Sequence, residues 1–210
     1  MEKLISRGAE ADIYIGKWGF LDAVYKVRVK KPYMVKDLDV FLRKSRTIRE
    51  AKMLRAARSF IPTPYVFYVG LKTYTIVMQF IEGQVMKDII KSQPELSYVA
   101  GKYLAKLHNN GIAHGDPNTS NMLLDIKRNT WLMIDFGLSY YTERIEDYAV
   151  DFHLFKEILN VQHVDVYDQA LNAFSEGYFS TSKITKDKFL NKVEEIEKRG
   201  RYARRRNFEF

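Results

Sequence analysis

No cysteine occurs in the 210 residues. That absence excludes disulfides, thiolate metal sites and a cysteine nucleophile, and it suits a hot or reducing habitat. Long apolar runs are missing too. None approaches the roughly 20 residues of a membrane span, and Met1-Glu2-Lys3-Leu4-Ile5-Ser6-Arg7 carries no apolar signal region. Both absences lead to the expectation of a cytoplasmic protein with no membrane partner. No internal repeat or low-complexity linker divides the chain. The four histidines, His108, His114, His153 and His163, lack metal-ligand spacing.

Acidic residues are in deficit, 26 against 34 Lys and Arg, for a net charge of +8. A basic chain of this kind favours an acidic partner such as RNA. The excess is uneven, because Lys198, Arg199, Arg201, Arg204, Arg205 and Arg206 crowd into the last stretch. Hydrophobic residues at 46% and charged ones at 29% describe a folded chain, long enough for one compact domain or two small lobes.

The order of elements is legible from periodicity. Ala11-Asp12-Ile13-Tyr14-Ile15 alternates, and residues 23–29 place Val and Tyr among polar neighbours, so the first 30 residues read as strands. Residues 36–60 turn helical, with Leu38, Phe41, Leu42, Ile48, Ala51 and Leu54 as the apolar stripe and Pro62 and Pro64 as the stop. Two strands follow, over 65–69 and 74–81. After Gly83 helices dominate. Leu96, Val99, Ala100, Tyr103, Leu104 and Leu107 form a core stripe, and further helices are expected over 147–159 and 166–178. A last one runs from Thr185 as N-cap to about Lys198. This order predicts two lobes with a boundary near Gly83.

The chemistry is concentrated in His114-Gly115-Asp116-Pro117-Asn118-Thr119-Ser120-Asn121, followed by a short strand and Asp135-Phe136-Gly137. The Asp-to-Asn spacing is that of the kinase loop H-R-D-L-x-x-x-N, and D-F-G comes after it in the right order. Phosphoryl transfer needs a carboxylate beside the attacking hydroxyl and oxygen ligands converging on magnesium. Asp116 suits the first role, and Asn121 and Asp135 the second.

This loop demands upstream partners. Lys26, in Val24-Tyr25-Lys26-Val27, suits the third-strand lysine that meets ATP phosphates, and Glu50 suits the helix glutamate that pairs with it. The phosphate-covering loop is irregular: Ser6-Arg7-Gly8-Ala9-Glu10-Ala11 stands where G-x-G-x-x-G is usual, and only Gly8 remains. Glu10 brings negative charge near the expected phosphates. Met78 is expected behind the adenine, with backbone groups of Gln79 and Ile81 at its edge. Asp151 is expected to accept hydrogen bonds from catalytic-loop amides.

Taken together, Gly8-Ala9-Glu10-Ala11, Arg46-Thr47-Ile48-Arg49-Glu50-Ala51, His114-Gly115-Asp116, Thr119-Ser120-Asn121, Asp135-Phe136-Gly137-Leu138, Glu146-Asp147, Ala149-Val150-Asp151 and Arg199-Gly200-Arg201 resemble the small atypical kinase of the KEOPS complex, in its archaeal form. The resemblance covers nearly the whole chain. It implies an α+β, minimal bilobal protein-kinase-like fold. Residues 1–82 would be an N-lobe of antiparallel sheet plus one main helix, and residues 83–210 a truncated, mostly helical C-lobe with a basic tail. It implies ATP with magnesium, ATPase and autophosphorylating Ser/Thr kinase activity, and a regulatory role in threonylcarbamoyladenosine modification of tRNA. The implied partners are the KEOPS threonylcarbamoyl-transferase subunit, a small KEOPS subunit on the N-lobe, and tRNA. Arg199, Arg201, Arg204, Arg205 and Arg206 are the candidate RNA contacts.

Three departures bear on activity. No A-P-E motif comes after Gly137, so a peptide-docking activation segment is not expected. Asn118 replaces the lysine with which ordinary kinases neutralise the transferred phosphate. Pro117-Asn118 stands where the family usually has Leu-Thr, and Pro117 removes one amide donor. The competing reading is a free-standing RIO-like Ser/Thr protein kinase. A silent adaptor has no need of intact Lys26, Asp116, Asn121 and Asp135. A small-molecule phosphotransferase lacks room in so short a C-lobe.

Overall fold

The computed structural model describes residues 3–206, with side chains described for residues 3–199. The chain opens with β1 (Lys3–Arg7), β2 (Ala11–Trp18) and β3 (Leu21–Arg28), then α1 (Lys36–Ala57), β4 (Val66–Gly70) and β5 (Thr75–Gln79). The five strands form one antiparallel sheet in the order β1-β2-β3-β5-β4. Register pairs Lys26 with Ile13 on one side and Ile76 on the other, which puts this lysine in the middle of the sheet. Strand side chains alternate between faces, so Lys26 and Arg28 share one.

α1 corrects the sequence reading. Leu38, Phe41 and Ile48 of the expected stripe are exposed, while Asp39, Thr47, Glu50, Met53, Leu54 and Ala57 are buried. The helix is turned by ionic contacts. Asp39 accepts a hydrogen bond from the Lys31 amide at 3.0 Å and pairs with Arg43, and Glu50 faces the cations of β3. Only the last turns, at Met53, Leu54 and Ala57, join the apolar core.

β6 (Gly83–Val85) is followed by α2 (Met86–Ile89), α3 (Ser97–His108), β7 (Ile112–Ala113), β8 (Met122–Asp125), β9 (Thr130–Met133) and β10 (Tyr140–Tyr141). Three long helices follow: α4 (Ile145–Gln162), α5 (Tyr167–Phe179) and α6 (Lys186–Arg206). β6, β8 and β9 make a small antiparallel sheet, and β7 pairs with β10. The α3 stripe packs as the sequence predicts: Ala100, Leu104 and Leu107 are buried, with Leu96, Val99 and Tyr103 against them. Each fully buried Leu or Phe contributes about 1.5–3 kcal/mol. α6 starts directly after Thr185, whose carbonyl accepts the Phe189 amide at 3.1 Å. It runs past the expected end at Lys198 to Arg206, so the basic segment continues a helix. No described helix is long and apolar enough to cross a membrane.

α3 and α5 cross backbone to backbone through two glycines. A Cβ on Gly101 would lie 2.0 Å from the Phe174 carbonyl oxygen, and one on Gly177 would lie 2.0 Å from that of Tyr98. A side chain fits at neither position. Gly101→Ala should therefore force the helices apart and destabilise the chain by about 1–3 kcal/mol. Urea unfolding checks this, and an unchanged midpoint would show that the crossing yields freely.

Candidate active site

Lys26 on β3 reaches two carboxylates at once. Its Nζ lies 2.6 Å from Glu50 Oε1 and 2.7 Å from Asp135 Oδ1. Burial works against its positive charge, but Glu50 and Asp135 outweigh it, and the Lys26 pKa rises above the ordinary value. For Asp135, burial acts to raise the pKa, yet Lys26 and the Gly137 amide prevail and hold it below the usual carboxylate range. Asp135 also has φ +60°, a left-handed backbone that Asp tolerates better than most residues. Burial pushes the Glu50 carboxyl up, while Lys26 and Arg28 act the other way. A cation at 2.6 Å on each oxygen favours the ionised form.

The sequence reading missed Arg28 as part of this cluster. Two residues beyond Lys26, on the same face, its Nη2 lies 2.6 Å from Glu50 Oε2. Strand periodicity was the available signal. Arg46, one helical turn before Glu50, pairs with Glu10 of the β1–β2 turn, and Arg28 Nη1 lies 3.5 Å from the same Glu10 oxygen. Signs alternate along the chain Arg46, Glu10, Arg28, Glu50, Lys26, Asp135.

The loop that opens with His114 and Gly115 hangs from Asp151 of α4, as the sequence predicts. This buried carboxylate accepts the His114 amide at 2.6 Å and the Gly115 amide at 2.8 Å. It also lies 3.1 Å from His108 Nε2, and Tyr178 Oη lies 2.8 Å from His108 Nδ1. Burial lowers the His108 pKa despite Asp151. A carboxylate only accepts, so the neutral ring donates from Nε2 and takes the tyrosine hydroxyl at Nδ1. Gly115, at φ +82°, leaves no room for a Cβ, which would meet the Leu138 carbonyl oxygen at 2.5 Å. The segment after Gly137 therefore passes directly over the loop. Ser139 Oγ donates to the His114 carbonyl at 2.7 Å, and β10 pairs with β7.

Pro117 leaves the loop intact because Asn118 organises the turn over residues 119–121. Its Oδ1 accepts the Ser120 and Asn121 amides, and its Nδ2 lies 3.2 Å from Asp116 Oδ1. Asn121 Nδ2 donates to the Asp116 carbonyl at 2.9 Å and lies 3.3 Å from Asp116 Oδ2. This leaves the Asn121 side-chain oxygen for a cation. No cluster of three or more His, Cys, Asp or Glu among the described residues is placed to hold a metal by itself. Asp135 and Asn121 offer two oxygen donors, which suits magnesium that takes the rest from phosphates and water.

A cavity of about 410 Å³ lies between the β1–β2 turn and these groups, lined by Gly8, Ala9, Glu10, Ala11, Lys26, Arg28, Arg46, Asp116 and Asp135 among others. Gln79 and Ile81 do not line it. Ile81 is buried, and the Gln79 amide donates to the Tyr65 carbonyl at 2.8 Å, so that donor is already used. Arg199 pairs with Glu146 of α4 at 2.6 Å. The side chains of Arg201, Arg204, Arg205 and Arg206 lie outside the described residues.

A five-stranded sheet with a lysine–glutamate pair, over a helical lobe carrying Asp116, Asn121 and Asp135, defines a protein-kinase-like fold with an atypical, shortened lower lobe. Comparison with known proteins agrees. Residues 19–169 match the ABC1 atypical kinase-like domain. The chain is 38% identical to the KEOPS complex subunit Bud32 of Pyrococcus abyssi, over 97% of each. It is equally identical to a probable bifunctional tRNA threonylcarbamoyladenosine biosynthesis protein of Methanocaldococcus jannaschii, covering 96% of this chain but 37% of that one. Among solved structures, the Rio2 kinase of Chaetomium thermophilum in its ADP/Mg2+-phosphoaspartate complex superposes with a TM-score of 0.60 at 17% identity, covering 96% of this chain and 72% of the other. The chain belongs to the Bud32 family of atypical kinases.

Proposed function

We propose that this chain binds ATP with magnesium in the cleft, hydrolyses it, and acts as the regulatory kinase-type subunit of the KEOPS complex in threonylcarbamoyladenosine modification of tRNA. The observation that carries this reading is the convergence of Lys26, Asp116 and Asp135 on one cleft, with Glu50 paired to Lys26 behind it and Asn121 beside Asp116. The name of the Pyrococcus relative supports the assignment to KEOPS.

Bound magnesium and ATP supply a transferable phosphoryl group. Lys26, fixed by Glu50, would contact the phosphates, and Asp135 with Asn121 would hold the metal. Asp116, steadied by Asn118 and Asn121, orients the attacking water or hydroxyl and accepts its proton. Asn118 brings no positive charge to the acceptor side, and only residues 138–144 separate Gly137 from α4. Both features favour ATP hydrolysis and autophosphorylation over phosphorylation of foreign proteins, which leaves a free-standing RIO-like kinase as the weaker reading.

The bifunctional relatives carry the matching region within a much longer chain. We take the remaining length as the counterpart of a separate threonylcarbamoyl-transferase subunit that partners this chain. In this reading residues 1–82 are the N-lobe, which receives a small subunit, and residues 83–210 are the C-lobe, whose basic end meets tRNA. The protein works in the cytoplasm.

Variants of the cleft and of the basic end test these roles. Asp135→Ala should abolish magnesium-dependent ATP turnover in a folded protein, and Asp116→Asn should lower turnover while leaving ATP affinity nearly intact. Wild-type turnover in Asp135→Ala, or equal losses of affinity and turnover in Asp116→Asn, would contradict the assignments. Deleting residues 201–210 should weaken tRNA binding and flatten its dependence on salt, each lost phosphate contact removing roughly 0.7–0.9 from the log–log slope. An unchanged affinity and slope, alone and in the complex, would exclude this segment from the RNA interface.

A further inference from the structure

Two guanidinium groups converge on one oxygen at the edge of the cleft. Arg28 Nη1 lies 3.5 Å from Glu10 Oε2, and Arg46 pairs with the same oxygen. Arg28 is only 6% exposed, and its Nε has no acceptor among the described residues. Arg46 is more open to solvent, and its one described ion pair is with Glu10. Both arginines line the cavity that also holds Lys26, Asp116 and Asp135. Planar guanidinium forks facing such a cavity match phosphate as well as carboxylate.

Glu10 sits where a phosphate-covering loop ordinarily presents backbone amides to an anion. Here the turn is closed by the Gly8 amide on the Ala11 carbonyl at 3.0 Å, and Lys31 Nζ ties down the Ala9 carbonyl. The Glu10 carboxylate is projected onto the two arginines instead. The hydrogen bond from Arg46 holds the Glu10 carboxyl below the usual carboxylate range. The loop thus carries a permanent anion into a place suited to a phosphoryl group. The lower lobe meanwhile offers only Asn118 where a lysine ordinarily neutralises the transferred phosphate.

We propose that Arg28 and Arg46 form a subsite for the terminal phosphoryl group of a nucleotide, and that the Glu10 carboxylate is its built-in competitor. Nucleotide entry exchanges Glu10 for phosphate, frees the β1–β2 turn from α1, and gives the phosphate the positive charge that position 118 lacks. The inference rests on the nucleotide-binding reading above and adds to it an anchor and a gate.

The test is calorimetric binding of adenosine, ADP and a non-hydrolysable ATP analogue, each with magnesium, to the full chain and to Glu10→Gln, Arg46→Gln and Arg46→Lys. Glu10→Gln should tighten the ATP analogue several-fold and leave adenosine unchanged. Arg46→Gln should weaken the analogue on the order of tenfold, the scale of one charge-assisted hydrogen bond. Its effect should be smaller on ADP and absent on adenosine, with Arg46→Lys in between. An unchanged or weakened analogue affinity in Glu10→Gln would overturn the competitor. Equal losses of all three ligands in Arg46→Gln would reduce Arg46 to a structural part. Glu10→Gln lies on an exposed turn and keeps the side-chain shape, so it decides the matter even if an arginine variant fails to fold. Wild-type protein that binds none of the three would sink the nucleotide reading itself, whereas normal wild-type binding with unaffected variants would sink the subsite alone.

Discussion

Glu50 places a carboxylate where the sheet and helix α1 leave almost no access to water, and it is held there by a cation on each oxygen. Removing one partner of such a buried pair costs about 3–5 kcal/mol, although the intact pair adds little net stability over an apolar pair of similar volume. The arrangement is therefore best understood through what it positions. It fixes the rotation of α1 against β3, holds Lys26 extended towards Asp135, and brings Arg28 and Arg46 to the cleft edge. The exposed Phe41 and Ile48 are its consequence, because a helix turned to face cations with Glu50 cannot also face the core along its apolar stripe.

Asp151 does in the lower lobe what Glu50 does in the upper. One buried carboxylate gathers two loop amides and a neutral histidine, and the histidine is fixed in turn by Tyr178 from α5. The loop carrying Asp116 is thereby tied to the helical core, whose α3–α5 contact is set by two glycines. Gly115 lets the segment after Gly137 lie directly on the loop. A side chain at that position would lift Leu138 away and loosen the pairing of β7 with β10.

Much of this was legible in the chain. Asp116, Asn121 and Asp135 are marked by spacing, Lys26 by its strand, and Glu50 and Asp151 by the partners they must meet. The α3 stripe was legible because its residues belong to or pack against the apolar core. The α1 stripe misled because hydrophobic periodicity carries no information about a buried ion pair, and there the ionic contacts prevailed over the pattern. Arg28 was within reach of strand periodicity, two residues beyond Lys26, whereas the partner of Arg46 is Glu10, which lies in a turn remote from it in sequence. The extension of α6 to Arg206 escaped because a run of arginines reads equally well as solvated coil or as exposed helix.

The central claim, that the shared Glu50 carboxylate organises the cleft through Lys26, is tested most directly by a double-mutant cycle. Lys26→Met, Glu50→Gln and the double variant would be compared for affinity towards a magnesium-bound, non-hydrolysable ATP analogue. The account predicts strong non-additivity, with a coupling on the order of 1 kcal/mol or more, because losing either partner already dismantles the arrangement. Strictly additive losses in folded variants would show that the two residues act independently, and would contradict it.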